Sequence, residues 1–337
     1  MSRDDSGRTD PLMTRDLTTL PKAHLHLHLE GSARPATIAE LAGRNGIALD
    51  DLQAFRTLPE FIERYAIAVS AITKGVDLER ICYELLVDEA TQGVRWCEPH
   101  VEPQLYAPTL GTLDEVWAHM RAGFARGAAE TGVDWGVIIG HNRVMPAEAA
   151  ERMAGWAAER AIEGIVGFGL SGDEQRVGPA PFARACAIAA EAGLLVVPHA
   201  GETVGPESVA GALELGANRV AHGVRSVEDP ELVVRLADDE ITCDVCPTSN
   251  LKLSVVGHLD EHPLPVLLDA GVPVTLGSDD QLFFGSLVAD EYAVARKYWG
   301  LSDSELAEIA RTSARASGAP KRVKAGLLSA IDDWTVS

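Results

Sequence analysis

Basic residues are scarce in this 337-residue chain: 29 Lys and Arg stand against 50 Asp and Glu, a formal charge of −21. Phosphate backbones and anionic membrane surfaces repel such a chain, which argues against nucleic-acid and membrane partners and leaves a small substrate. Cysteine is sparse too. Cys82, Cys97, Cys186, Cys243 and Cys246 are an odd number in a large chain, so no disulfide framework is expected, and a reducing, cytoplasmic setting is. No apolar run approaches the roughly 18 residues of a membrane-spanning helix. The opening Met1-Ser2-Arg3-Asp4-Asp5 lacks the basic and apolar regions of a secretory leader. Residues 1–17 read as a polar, mobile tail and 18–337 as a single domain. A glycine-rich phosphate loop after the first apolar run is also missing, which leaves the open doubly wound sheet as the structural runner-up.

What the chain has is alternation. Short β-like runs at Ala23–Leu29, Val94–Val101, Trp135–Ile139, Ile165–Leu170, Leu194–His199, Arg219–His222, Ile241–Val245 and Val272–Leu276 are separated by stretches rich in Ala, Glu, Leu and Arg. Segments such as Pro181–Ala192, Pro206–Leu215 and Pro230–Leu236 carry apolar residues at helical spacing. Eight strands alternating with helices predict an α/β fold, a parallel (β/α)8 barrel of the TIM type. About sixty residues separate the first two runs, room for extra helices inserted after strand 1. There Phe61, Ile62, Tyr65 and Ala66 share a helical face, readable as core or as an apolar lid over the site.

Polar residues gather at the ends of the runs. Run one carries His24, His26, His28 and Glu30, which strand alternation puts on one face. Buried, each ring needs a partner, and neighbouring same-face imidazoles suit a metal. Runs four, five, six and eight end at Ser171-Gly172-Asp173-Glu174, His199-Ala200-Gly201-Glu202, His222-Gly223 and Ser278-Asp279-Asp280. In a barrel those ends meet at one mouth. His26, His28, His199 and Asp279 offer nitrogen and oxygen donors fit for one Zn2+ with a position left for water, whose pKa the ion lowers to about 7. Glu202, His222 and Asp280 remain as acid, base and orienting groups.

Pro21-Lys22-Ala23-His24-Leu25-His26-Leu27-His28-Leu29-Glu30-Gly31 resembles the opening motif of adenosine and adenine deaminases. The four strand-end motifs and Cys246-Pro247-Thr248-Ser249-Asn250 resemble that family in order and spacing over about residues 18–330. The resemblance implies zinc held by His26, His28, His199 and Asp279. It implies that Glu202 protonates purine N1, that His222 takes the proton of the attacking water and steadies the developing charge, and that Asp280 holds N7. Gly172 would meet N3, and His28, Glu30 and Phe61 would also contact substrate. The product pair would be inosine, or 2′-deoxyinosine, and ammonia.

Departures from the family pattern bear on substrate. Glu30 replaces an Asp usual in nucleoside enzymes and resembles adenine-specific relatives, whereas Gly172-Asp173-Glu174 is similar to the nucleoside type. His24 replaces a usual Glu, Gln281 a usual Pro, and His100 falls where many relatives have Arg or an apolar residue. Adenosine or 2′-deoxyadenosine is the first expectation, adenine the second and aminodeoxyfutalosine the third, with a homo-oligomer compatible. Asp173 and Glu174 read equally as solvated acids. His28-Leu29-Glu30 with Cys243-Asp244-Val245-Cys246 is a poor match to the zinc motif of cytidine-type deaminases. Another metal-dependent hydrolase and an inactive binding barrel are the rival classes.

Overall fold

The computed structural model describes residues 14–336. Each apolar run forms a strand or a pair of strands. These are β1 (Lys22–His24), β2 (Val94–Cys97), β3 (His100–Val101), β4 (Asp134–Trp135), β5 (Val137–Asn142), β6 (Ile165–Ser171), β7 (Leu195–Val196), β8 (His199–Ala200), β9 (Arg219–His222), β10 (Thr242–Val245) and β11 (Val274–Leu276). Runs two and five break at Pro99 and Pro198, which have no N–H to give a ladder. Run three breaks at Gly136.

All pairings are parallel, in the orders β1-β2-β4, β3-β5-β6-β7 and β8-β9-β10-β11. Single bridges from Leu27 to Asp279 and from His28 to His100 join last to first and first to second. The His28 amide donates to the Asp279 carbonyl at 3.0 Å, and the Asp279 amide to that of His26 at 3.1 Å. The sheet therefore closes, as the eightfold alternation predicts, and the open-sheet alternative falls.

Run one differs from expectation. The chain bends at His26, so the two-residue alternation breaks and the four polar residues do not share a face. His24 instead sets Nδ1 2.7 Å from Glu89 Oε2, and its Nε2 accepts from the Ser278 amide at 3.1 Å. Leu25, Leu27 and Leu29 pack fully buried.

The long first connection folds into α1 (Pro35–Asn45), α2 (Leu58–Ser70) and α3 (Gly75–Thr91). Thr57 Oγ1 caps α2, accepting from the Glu60 amide at 3.4 Å. Of the expected tail, residues 1–13 lie outside the described residues. Leu17 is buried, and its carbonyl accepts from Lys22 Nζ at 3.0 Å.

Inside the barrel, Arg219 donates from Nη1 to Glu98 Oε2 at 2.8 Å and from Nε to Asp244 Oδ2 at 2.9 Å, all three side chains at most 1% exposed. Arg219→Met leaves two buried carboxylates without their cation. A loss of about 3–5 kcal/mol is expected in urea denaturation, and a loss below about 1 kcal/mol would show that the triad does not hold the barrel together.

Candidate active site

The ends of the strands converge on a pocket of about 110 Å³, lined by His28, His199, Glu202, His222, Asp279 and Asp280 on its deep side. Leu58, Phe61, Ile62 and Tyr65 of α2 cover it, with Gly172 at the edge. Phe61 stacks on Phe284 at 5.3 Å and meets Phe283 edge-on at 5.3 Å, which ties the cover to the segment after β11, the strand next to run one. The lid reading thus holds for Phe61, Ile62 and Tyr65, while Ala66 is exposed and lines nothing.

His222 and Asp279 have φ of 70° and 59°, a left-handed backbone that costs a non-glycine residue on the order of 1–3 kcal/mol. Both stand where a strand turns into its loop, and both side chains reach one point. His26 Nε2 and His28 Nε2 each lie 3.4 Å from Asp279 Oδ1, and His28 Nε2 lies 3.2 Å from His199 Nε2. His26 Nδ1 donates to the Asp244 carbonyl at 2.9 Å and His199 Nδ1 to that of Leu170 at 2.7 Å. Their Nε2 lone pairs are therefore bare and turned inward, and His26 Nε2 has no hydrogen-bond partner among the described residues.

Bare lone pairs this close repel unless a cation stands among them. Tetrahedral donors with bonds of about 2.1 Å are about 3.4 Å apart, so the set fits a metal. Donor atoms of His26, His199, His222 and Asp279 all fall within 4.8 Å of one another, as do those of His28, Asp279 and Asp280. His100 packs 5.4 Å from the rings of both His28 and His199, as part of the imidazole cluster.

Electrostatics divides the carboxyl groups. Burial works to raise Asp279, but His26, His222 and His28 outweigh it and hold the group well below its usual range. Burial and then the charge of Asp279 push Glu202 well up, and the same two causes push Asp280 well up. Burial brings His28 down to about 4 and His222 down to about 3. Ser249 Oγ donates to Asp279 Oδ2 at 2.6 Å, and Glu202 Oε1 lies 3.5 Å from His222 Nε2.

The loop that carries Glu202 is organised by Glu174, which is buried and not the solvated acid that was the other reading. Glu174 accepts from the amides of Gly201 (2.8 Å), Glu202 (2.9 Å) and Thr203 (2.7 Å) and from Ser208 Oγ (2.5 Å). Arg143 likewise donates to the carbonyls of Ser171 (3.3 Å) and His199. Gly31 makes room for Asp280: a Cβ there would stand 1.8 Å from Asp280 Oδ1. Gly31→Ala therefore displaces Asp280, and since a 1 Å shift at a reacting centre can cost about 10², a fall of that order in kcat/KM is expected. Unchanged kinetics would separate Asp280 from the reaction.

Glu30 sits one layer behind the pocket, 1% exposed, with Oε2 accepting from Tyr65 (2.6 Å) and Oε1 from Tyr106 (2.5 Å). Sequence reading missed Tyr106, Arg143 and the polar wall of Glu102 and Asn142 beside Ser171. Glu102 and Asn142 follow runs two and three, so the strand-end rule extended to those runs finds both. Cys243 and Cys246 are buried outside the donor groups, which removes the cytidine-type zinc motif.

A closed parallel barrel with imidazoles and paired carboxylates at its mouth has the architecture of the amidohydrolases. The family model for adenosine deaminase matches residues 21–334, and the chain belongs to that family, as a hydrolytic deaminase. A Streptomyces virginiae protein with the provisional name adenosine/adenine deaminase is 44% identical over 95% of this chain and 98% of its own. An aminodeoxyfutalosine deaminase of Streptomyces coelicolor is 38% identical over 97% and 89%. The crystal structure of an adenine deaminase from Arthrobacter aurescens superposes with a TM-score of 0.87 at 32% identity, covering 94% of this chain and 99% of that one.

Proposed function

We propose that the chain hydrolyses the 6-amino group of a purine, with one Zn2+ per chain as cofactor. The observation that carries this reading is the meeting at one pocket of the donor set His26, His28, His199 and Asp279 with Glu202, His222 and Asp280. When bound, the ion supplies water activated at neutral pH. Glu202 carries a proton in reach of the pocket and gives it to ring N1 as C6 becomes tetrahedral; its carboxylate then takes the protons of the added oxygen in turn, passing one to the 6-amino group, so that the C6–N bond breaks and ammonia leaves. His222, across from Glu202, hydrogen-bonds the oxygen that adds to C6. Asp280 Oδ1, which has no hydrogen-bond partner among the described residues, takes N7, and the Gly172 amide takes N3. Phe61 and Leu58 lie over the base and exclude water.

The substrate follows from what is left at the far end. Adenosine and 2′-deoxyadenosine need a polar group for the ribose 5′-hydroxyl, and the family resemblance assigns that position to Glu30. Both its oxygens already hold tyrosine hydroxyls, and the pocket is small. This supports adenine over the nucleosides and over aminodeoxyfutalosine. The test is ammonia release measured in parallel on adenine, adenosine, 2′-deoxyadenosine and aminodeoxyfutalosine. A kcat/KM above ~10⁴ M⁻¹s⁻¹ on adenine alone is the expected result. A nucleoside turned over at that rate would mean that Glu30 gives up a tyrosine, and no reaction on any of the four would sink the purine reading.

A further inference from the structure

Behind His222 a line of hydrogen bonds runs away from the pocket through residues that the reaction itself does not use. The Leu264 backbone amide donates to His262 Nδ1 at 3.0 Å. His262 Nε2 lies 3.1 Å from Asn250 Oδ1, and Asn250 Nδ2 lies 3.3 Å from His222 Nδ1. All three side chains are buried, so each polar atom depends on the partner it has.

The directions of these bonds are not free. A backbone amide can only donate, so His262 Nδ1 is the acceptor, and a neutral ring then carries its proton on Nε2. His262 is kept neutral by burial, which lowers it to about 4. Its Nε2–H selects the oxygen of Asn250 and thereby turns the Asn250 amide nitrogen toward His222. An amide nitrogen donates as well, so His222 Nδ1 must be an acceptor.

We propose that Asn250 and His262 are positioning residues that fix His222 in the tautomer with its proton on Nε2, the nitrogen facing Glu202 and Asp279. His222 then presents a donor to the oxygen adding at C6, not the proton acceptor that the family resemblance implies. The same proton keeps His222 out of the metal set, although one of its ring nitrogens stands within 4.8 Å of donor atoms of His26, His199 and Asp279, and its Nε2 lies 3.9 Å from Asp279 Oδ2. The ring of His262 is held 5.3 Å from that of Trp299, whose Nε1 donates to the Leu259 carbonyl at 3.0 Å, so the relay is anchored in the loop after the helix at Pro247–Lys252.

The inference rests on the deaminase reading for its kinetic consequence only; the tautomer is measured without substrate. In the metal-loaded, full-length protein labelled with 15N-histidine, His222 is expected to show a bare Nδ1 and a protonated Nε2. Asn250→Asp puts an acceptor-only carboxylate opposite Nδ1 and is expected to reverse the pair. A wild-type His222 protonated at Nδ1 overturns the proposal whatever the substrate is. On a substrate that turns over, His262→Phe is expected to lower kcat by on the order of 10²–10⁴ with KM changed less than threefold, as for a catalytic histidine left in the wrong tautomer. His262→Gln returns an N–H to Asn250 and is expected to recover at least tenfold of that loss. An equal loss in both variants, with both folded by thermal melting, would overturn the donor role of His262.

Discussion

Glu202→Gln is expected to lose at least ~10² in kcat while keeping its metal and its melting temperature. Glutamine has the shape of the protonated acid and can still donate a hydrogen bond to a ring nitrogen, but it has no proton to transfer. General acid catalysis by one positioned group is worth about 10²–10⁴, so the loss should fall there and not in KM. The surroundings make the test clean. Glu202 is held through its own backbone amide by Glu174, and its side chain faces His222 at 3.5 Å, so the substitution disturbs neither the loop nor the donor set. Ammonia release together with metal analysis decides the matter. Near-normal turnover would take Glu202 out of the mechanism and leave His222 and Asp280 to account for the chemistry.

The barrel was legible because each of its signals is local. Apolar runs and helical spacing need only a few residues, and the C-terminal ends of parallel strands must face the same way, so His26, His28, His199, Glu202, His222, Asp279 and Asp280 could be named together before any contact was seen. What failed to show were pairings made across the molecule. His24, like His26, stands between two apolar residues, but a single bend turns it to Glu89 on α3. Glu30 reads as a substrate residue until Tyr65, from the inserted helix, and Tyr106, from beyond β3, take both its oxygens. Glu174 could not be told from a solvated acid, because the amides it gathers lie nearly thirty residues ahead. In each case the deciding fact is which distant group satisfies a buried polar atom, and no pattern of spacing carries that.

Asp279→Ala is expected to cost the protein its metal, and activity as a consequence. Asp279 is the one anion among the proposed ligands, and its Oδ1 stands 3.4 Å from the Nε2 atoms of both His26 and His28. With alanine there, three neutral imidazoles remain, and the attraction that opposes removing a doubly charged ion from water is gone. Losing an outer partner of a ligand already costs 10–100-fold in affinity, so losing the charged ligand itself should cost more than ~10², read by chelator competition and metal content. Asp279→Asn keeps the oxygen and the bond from Ser249 but not the charge, and should fall between. This ordering separates the two parts of the site. Glu202→Gln should remove turnover with metal retained, while Asp279→Ala should remove both. An Asp279→Ala protein at full occupancy would mean that the ion is held by His26, His199 and His222, and the tautomer argued for His222 would fall with the ligand set.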